Sequence, residues 1–167
     1  HHVSKVKFHF DKSMMVILKK LLEYDFPFQE QSIMLAFDMY EDSYEAKNQI
    51  LAFLSLMISM ETLFNPKERG EVTHKISRNC AVLLGKDKED SDKIFKQIKK
   101  IYEARSQIVH SGKTSKFKRK YMLIIRDYIR RSIVKMLDLN EEKEEILRKL
   151  NTLGFGEIGK YNQVILE

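Results

Sequence analysis

A single cysteine, Cys80, rules out any intrachain disulfide in these 167 residues, so the fold has to stand on burial. A chain of this length buries roughly 70% of its unfolded surface and needs no staple. Cys80 lies in an apolar helical run, which points to a buried structural thiol rather than a nucleophile. A reducing, cytoplasmic setting is the expectation. Tryptophan is absent, and only two prolines and six glycines interrupt the chain. That scarcity of breakers suits helices, and no internal repeat or low-complexity tract is visible. No apolar run reaches membrane length: the longest, Ile50 to Phe64, has 15 residues and contains Glu61, whereas a span needs about 20. It reads as a core helix, and no membrane partner is expected. There is no CxxC pair, no Gly-rich phosphate loop, no metal-ligand spacing and no carboxylate cluster suited to a two-metal nuclease. Neither a metal nor another cofactor is therefore expected. No secretory leader is visible, and His1 and His2 read as the remnant of a purification tag.

What is present is mildly basic: 30 Lys and Arg against 24 Asp and Glu, a formal charge of +6. This permits an anionic partner such as nucleic acid without demanding one. Val6, Phe8 and Phe10 alternate with Lys7 and His9, as in a short strand or an extended arm. Helices are expected over Lys12 to Glu23, Gln29 to Tyr40, Lys47 to Phe64, Val72 to Leu84, Asp92 to His110, Ser115 to Leu139 and Glu141 to Leu153. Glu41, Asp42 and Ser43 form a polar break. Pro66 and Gly70 end the apolar helix, Gly85 closes the next as a C-cap, and Gly112 terminates the one after. Lys86 to Asp92 reads as a charged loop offering Ser91 or Asp92 as an N-cap. In the run Glu141 to Lys149, the pairs Glu144–Arg148 and Glu145–Lys149 suggest a solvated face, with Ile146, Leu147 and Leu150 turned inward. Three glycines between Gly154 and Gly159 lead to Val164-Ile165-Leu166, a second candidate strand. The class is therefore all-α, a bundle of five or six helices with at most a short terminal strand. The expected division is an N-terminal appendage at 1–28, a helical domain at 29–153 and a tail at 154–167.

Three residues break the apolar patterns. Placed on a helical wheel, Ile94, Ile98, Ile101 and Ile108 fall within about 80° of one another, and Arg105 falls inside the same stripe. A guanidinium on a core-facing line must meet an acid, a subunit interface or a polar cleft. Glu61 is the only charge between Lys47 and Lys67, on a helix that is hydrophobic nearly all round. We expect it to neighbour Arg105 across the bundle; the alternative is a frayed helix end where Glu61 reaches water. His110 lies five positions after Arg105, about 140° around an ideal helix. The two can share a cleft only where the helix ends, beside Ser111-Gly112, or across a dimer axis. On spacing alone, His110 is a C-terminal partner of the helix dipole, and His74 is a surface histidine.

The stretch Tyr102-Glu103-Ala104-Arg105-Ser106-Gln107-Ile108-Val109-His110-Ser111-Gly112 resembles the signature helix of HEPN domains, an arginine, four to six residues, then a histidine. A serine after the arginine and Val-His-Ser-Gly at the end are similar to the Apea-like branch. Ser59-Met60-Glu61-Thr62-Leu63-Phe64 resembles that branch's apolar helix, and Gly70-Glu71-Val72-Thr73-His74-Lys75-Ile76 through Leu83-Leu84-Gly85 resembles the helix after it. Ser43-Tyr44-Glu45-Ala46 fits the approach to the apolar helix. The resemblance runs in order from about Gln29 to Asp138. Many ribonucleolytic members of the wider superfamily carry Asn, Asp or His directly after the arginine, where this chain has Ser106.

The resemblance implies a HEPN-like bundle that dimerises, with two Arg–His motifs facing one cleft. It implies metal-independent cleavage of RNA in a prokaryotic defence or toxin setting, with an antitoxin or effector domain as a further partner. RNA carries its own nucleophile, the 2′-hydroxyl. His110 has the intrinsic pKa to move protons near neutrality, and Arg105 has the planar fork for phosphate oxygens. Ser106 adds a hydrogen bond, and Glu61 is cast as the residue that fixes Arg105. Lys113, Lys116, Lys118, Arg119 and Lys120 follow the motif directly, and Arg126, Arg130 and Arg131 continue along the next helix. These are candidates to hold the RNA backbone, or else a solvated face. Phe117 and Tyr121 offer stacking surfaces, with core packing the stronger reading for both. The competing function is a non-catalytic HEPN module that binds RNA, nucleotide or protein and dimerises; a purely structural helical domain is a third.

Overall fold

The computed structural model describes residues 30–65 and 71–163. Within them the chain is all-α: α1 (Gln31–Glu45), α2 (Gln49–Phe64), α3 (Val72–Leu84), α4 (Lys88–Ser111), α5 (Arg119–Leu139), α6 (Lys143–Thr152) and a short 3₁₀ helix (Ile158–Gln163). No strand occurs among the described residues. The helix expected at Lys12 to Glu23 and the candidate strands around Val6 and Val164 lie outside them. No helix among the described residues is long and apolar enough to cross a membrane.

The organising element is α2. Its mean composition is so apolar that it has almost no polar face, and Phe53, Leu56, Met57, Met60, Leu63 and Phe64 are all buried. It packs most extensively on α1 and also against α5. α3 lies along α4, and Ile76, Cys80, Leu83 and Leu84 join Ile94, Ile98 and Ile101 in the same core. Cys80 is fully buried, and burial pushes its thiol up to about 12. It is a structural group.

Several boundaries differ from the sequence expectation, each for a local reason. α1 does not break at Glu41-Asp42-Ser43 but continues to Glu45. Ser43 is buried, its hydroxyl donates to the Tyr40 carbonyl at 2.6 Å, and its own carbonyl accepts from Arg126 at 2.6 Å. A serine satisfied in this way continues a helix. α4 starts at Lys88 rather than Asp92, because Asp87 is the N-cap and accepts from the Asp90 N–H at 2.8 Å, with Glu89 and Asp90 in the dipole-favoured first turn. α5 starts at Arg119 rather than Ser115. The intervening turn is held instead by Gln107, whose Oε1 accepts from Ser115 Oγ at 3.3 Å and the Lys116 N–H at 3.2 Å.

The run Glu141 to Lys149 is in part the solvated face expected, with Glu142, Glu144 and Arg148 exposed and Ile146, Leu147 and Leu150 turned inward, but Lys149 departs from it. Lys149 is buried at 2% exposure, and its ammonium donates to both Glu141 oxygens at 2.8 Å. Glu145 stands further off at 3.8 Å. Arg148 instead forks onto Glu145 at 2.9 and 2.6 Å. The Tyr161 hydroxyl donates to Glu141 at 3.2 Å, so this ion pair also anchors the 3₁₀ helix.

Two glycines serve different needs. Gly85 caps α3 in extended backbone (φ −68°), so it needs no left-handed conformation. What it provides is space: a Cβ there would lie 2.0 Å from Ser91 Oγ and 2.8 Å from the Ala81 carbonyl and the Ser91 Cα. Gly112 ends α4 at φ +65°, with open space around it and its N–H on the Ile108 carbonyl. Gly85→Ala should therefore cost about 1–3 kcal/mol or more through overpacking, and Gly112→Ala about 1–2 kcal/mol through backbone conformation alone. Urea melts of the two variants check the order; a Gly112→Ala protein less stable than Gly85→Ala would contradict it.

Candidate functional site

α2 and α4 meet near the end of α2. Glu61, near the end of α2, touches Arg105, and Phe53, further back, packs at 5.2 Å against Phe117 beyond the end of α4. Arg105 leaves the isoleucine stripe of α4, whose members Ile94, Ile98, Ile101 and Ile108 are all buried. Its Nη2 lies 3.2 Å from Glu61 Oε1. The expected neighbours are therefore partners. Their side chains are 29% and 25% exposed, so the pair sits at the rim of the core with one side open to solvent. A guanidinium held this way keeps donors free for another anion.

Burial raises the Glu61 carboxyl above its ordinary range; Arg105 and then Tyr102 act in the opposite sense without cancelling that effect. Tyr102 is the third member of the group. It precedes Arg105 by three residues, so both lie on one side of α4. Its buried hydroxyl lies beside the Glu61 carboxylate, short of full hydrogen-bond geometry but near enough to act on it, and burial together with the Glu61 charge raises its pKa. A buried hydroxyl so weakly satisfied is costly in a core and explicable beside a site. Sequence reasoning assigned Tyr102 no role, though a phenol on an isoleucine line is a visible irregularity.

His110 and Ser106 are exposed on the last turns of α4, and the side-chain partner of Arg105 among the described residues is Glu61. His110 stands about 7.5 Å further along the axis and about 140° around it, in the helix's last turn. Within one copy of the chain, then, the structure joins Glu61, Arg105 and Tyr102 and leaves His110 and Ser106 on adjacent surface. His74 is exposed and edge-on to Phe95 at 5.4 Å.

The basic residues separate into two groups. Lys113, Lys116, Lys118, Arg119 and Lys120 are all exposed; Lys116 lies 3.7 Å from Glu103, and the other four make no ion pair among the described residues. The three arginines further along α5 are engaged. Arg126 donates to the Ser43 carbonyl, Arg130 to Asp127 at 2.8 Å, and Arg131 to the Leu84 carbonyl at 3.1 Å. Arg131 thus caps the end of α3. Phe117 and Tyr121 are partly buried against the core, as the packing reading expected. Sequence reasoning also missed Gln107, for which no pattern existed, since its partners lie in the turn after its own helix.

Among the described residues, no group of three or more His, Cys, Asp or Glu side chains is placed to hold a metal ion. An open groove of about 580 Å³ lies elsewhere, along the first half of α4, lined by acids from Asp87 to Asp92 and then by lysines from Lys93 to Lys100. Its mixed charge and distance from Arg105 along the helix give it no part in the candidate site. Comparisons of the chain with family models, with curated proteins and with solved structures find no match.

The ion pair makes a sign-definite prediction. Because the folded state raises the Glu61 pKa, it binds that proton more readily than the unfolded chain. The resulting stabilisation is full below the ordinary Glu value of 4.5 and is lost as pH rises through the folded value. Carbon NMR of the Glu61 carboxyl should give a midpoint above 4.5, and Arg105→Met should move it higher by removing the cation that opposes burial. A midpoint unmoved by that substitution would show that the two groups are not coupled.

Proposed function

We propose that this protein is a metal-independent endoribonuclease of HEPN type that cleaves RNA through attack of the 2′-hydroxyl, in a prokaryotic defence or toxin setting. The observation that carries the reading is the Arg105–Glu61 pair: an arginine taken from an isoleucine stripe, fixed by the sole acid of the apolar helix, yet open to solvent on one side. In this reading Arg105 presents its remaining N–H groups to the scissile phosphate as charge grows on it. His110 moves the proton, and Ser106 adds a hydrogen bond.

The separation of Arg105 from His110 around α4 calls for a second copy of the chain. Leu51 and Ile58 on α2 and Val109 on α4 are about half exposed. Val109 is about one turn beyond Arg105 on α4, and Ile58 precedes Glu61 by three residues on α2. Exposed apolar side chains next to the members of the ion pair are the kind of surface that homodimers cover. Two copies meeting there would bring both motifs to one cleft, where two histidines divide the base and acid roles.

Incubation with total RNA and with tRNA in EDTA tests this. The parent should cut and leave 2′,3′-cyclic phosphate ends. His110→Ala should lower the rate about 10²- to 10⁴-fold, and Arg105→Ala about 10²- to 10³-fold. Products with 3′-hydroxyl ends would rule out the mechanism. A folded, dimeric parent that leaves RNA intact would instead favour a HEPN module for binding and assembly, and a monomer at micromolar concentration would remove the composite cleft.

A further inference from the structure

Outside the candidate site, the most unusual exposed surface lies where the end of α1 meets α5. Tyr44 is 60% exposed, yet it is not a free side chain. The Arg126 guanidinium lies over one face of its ring at 4.1 Å. That guanidinium is itself fixed by Ser43, through the carbonyl at 2.6 Å and the hydroxyl at 3.3 Å. The Tyr40 ring meets it edge-on at 5.5 Å, and the two hydroxyls are 3.0 Å apart. The phenol is thus held rigid from one face and one edge, with its other face turned to water.

α5 supplies the surroundings. Arg119, Leu123, Arg126 and Arg130 recur at intervals of four, three and four residues, so they share one helix face about 16 Å long. Leu123, at 67% exposure, is the most exposed large apolar side chain among the described residues. Arg119 and Arg130 are exposed at the two ends of this face. Asp127 offsets part of the charge, pairing with Arg130 at 2.8 Å and Arg131 at 3.4 Å. Glu41 and Glu45 are exposed on α1 about 60–100° around from Tyr44. They repel a phosphate from that flank and leave α5 as the path. The stripe begins directly after the exposed lysines of 113–118, which join it to the end of α4.

We infer that this face binds single-stranded RNA, with one base stacked on the open face of Tyr44 and the backbone running along Arg119 and Arg130. A rigid aromatic ring backed by a guanidinium is a stacking platform for any base, and flanking cations track the phosphates. A duplex hides its base faces and has nothing to offer Tyr44. The inference names the substrate class of the proposed nuclease and to that extent rests on that reading, but its test requires no cleavage.

The test uses His110→Ala protein, which keeps the probe intact, and fluorescence anisotropy of a short labelled single strand of mixed sequence over a salt series. The single strand should bind more tightly than its duplex. Tyr44→Ala should weaken binding about 5- to 100-fold, while Tyr44→Phe, which keeps the ring, stays close to the parent. Arg119→Gln and Arg130→Gln should each flatten the salt dependence by roughly 0.7 in log–log slope. Leu123→Asp, a change at an exposed position, should weaken binding without altering the thermal melt. Equal affinity of the Tyr44→Ala protein and its parent overturns the inference, as does tighter binding of the duplex. If the strand binds as expected and the protein with His110 intact leaves RNA uncut, the nuclease reading fails and the stacking surface stands. If that protein cuts RNA and Tyr44→Ala changes neither binding nor cleavage, the reverse holds.

Discussion

Everything in this fold is arranged around a helix that cannot be left in water. α2 carries large apolar side chains on nearly every side, and six of them between Phe53 and Phe64 are fully buried. Such a helix must be enclosed, so α1 and α5 pack on it and α3 and α4 complete the core. The same constraint gives its single acid consequence. Glu61 cannot be absorbed into a hydrophobic wall uncompensated. The cation that answers it comes from Arg105, the charged residue on the isoleucine stripe of α4. Burial still outweighs the arginine, so the carboxyl stays harder to ionise than an exposed one. A charge pair at the rim of a dry core contributes little net stability. Its value is positional: it fixes which way the guanidinium faces.

Several cationic side chains also tie the bundle together, and they act at helix ends. Arg78 donates to the Leu150 and Asn151 carbonyls at the end of α6, at 2.9 and 3.2 Å. Arg131 and Lys135 donate to the Leu84 and Leu83 carbonyls at the end of α3, at 3.1 and 2.7 Å. Each helix end leaves carbonyls without intrahelical partners, and a cation there also meets the negative end of the dipole. Burial lowers the pKa of both Arg78 and Lys135. That is the cost of withdrawing them from water, and the hydrogen bonds offset it.

These placements explain how far the sequence could be read. Whatever announced itself as a broken local pattern was legible. Arg105 and Glu61 each interrupt an apolar periodicity, and their pairing follows because each needs what the other supplies. Val72 to Leu84 was legible to the residue because Gly85 bounds it, although the glycine is required by the approach of Ser91 rather than by its dihedral angles. What depended on a partner distant in sequence was not legible. Ser43 looks like a helix breaker until Arg126, 83 residues away, meets its carbonyl. Lys149 looks like a solvated cation until Glu141, on the turn before its helix, draws it inside. Tyr102 looks like one more large apolar residue until its hydroxyl is found buried beside Glu61.

The same distinction corrects the meaning of the net charge. A formal +6 spread evenly over 167 residues says little about partners. The fold does not spread it evenly. Arg78, Arg131, Lys135 and Lys149 are spent inside the structure on carbonyls and on Glu141. Lys113, Lys118, Arg119 and Lys120 remain exposed and unpaired among the described residues, and they are contiguous in the chain where α4 gives way to α5. A run of exposed cations is therefore found at the end of the bundle that carries His110, with Arg105 about one and a half turns below. Field strength at a surface follows local density more than the total. A mildly basic protein that turns several of its cations inward can thus still present a run of unpaired ones at one end of the bundle.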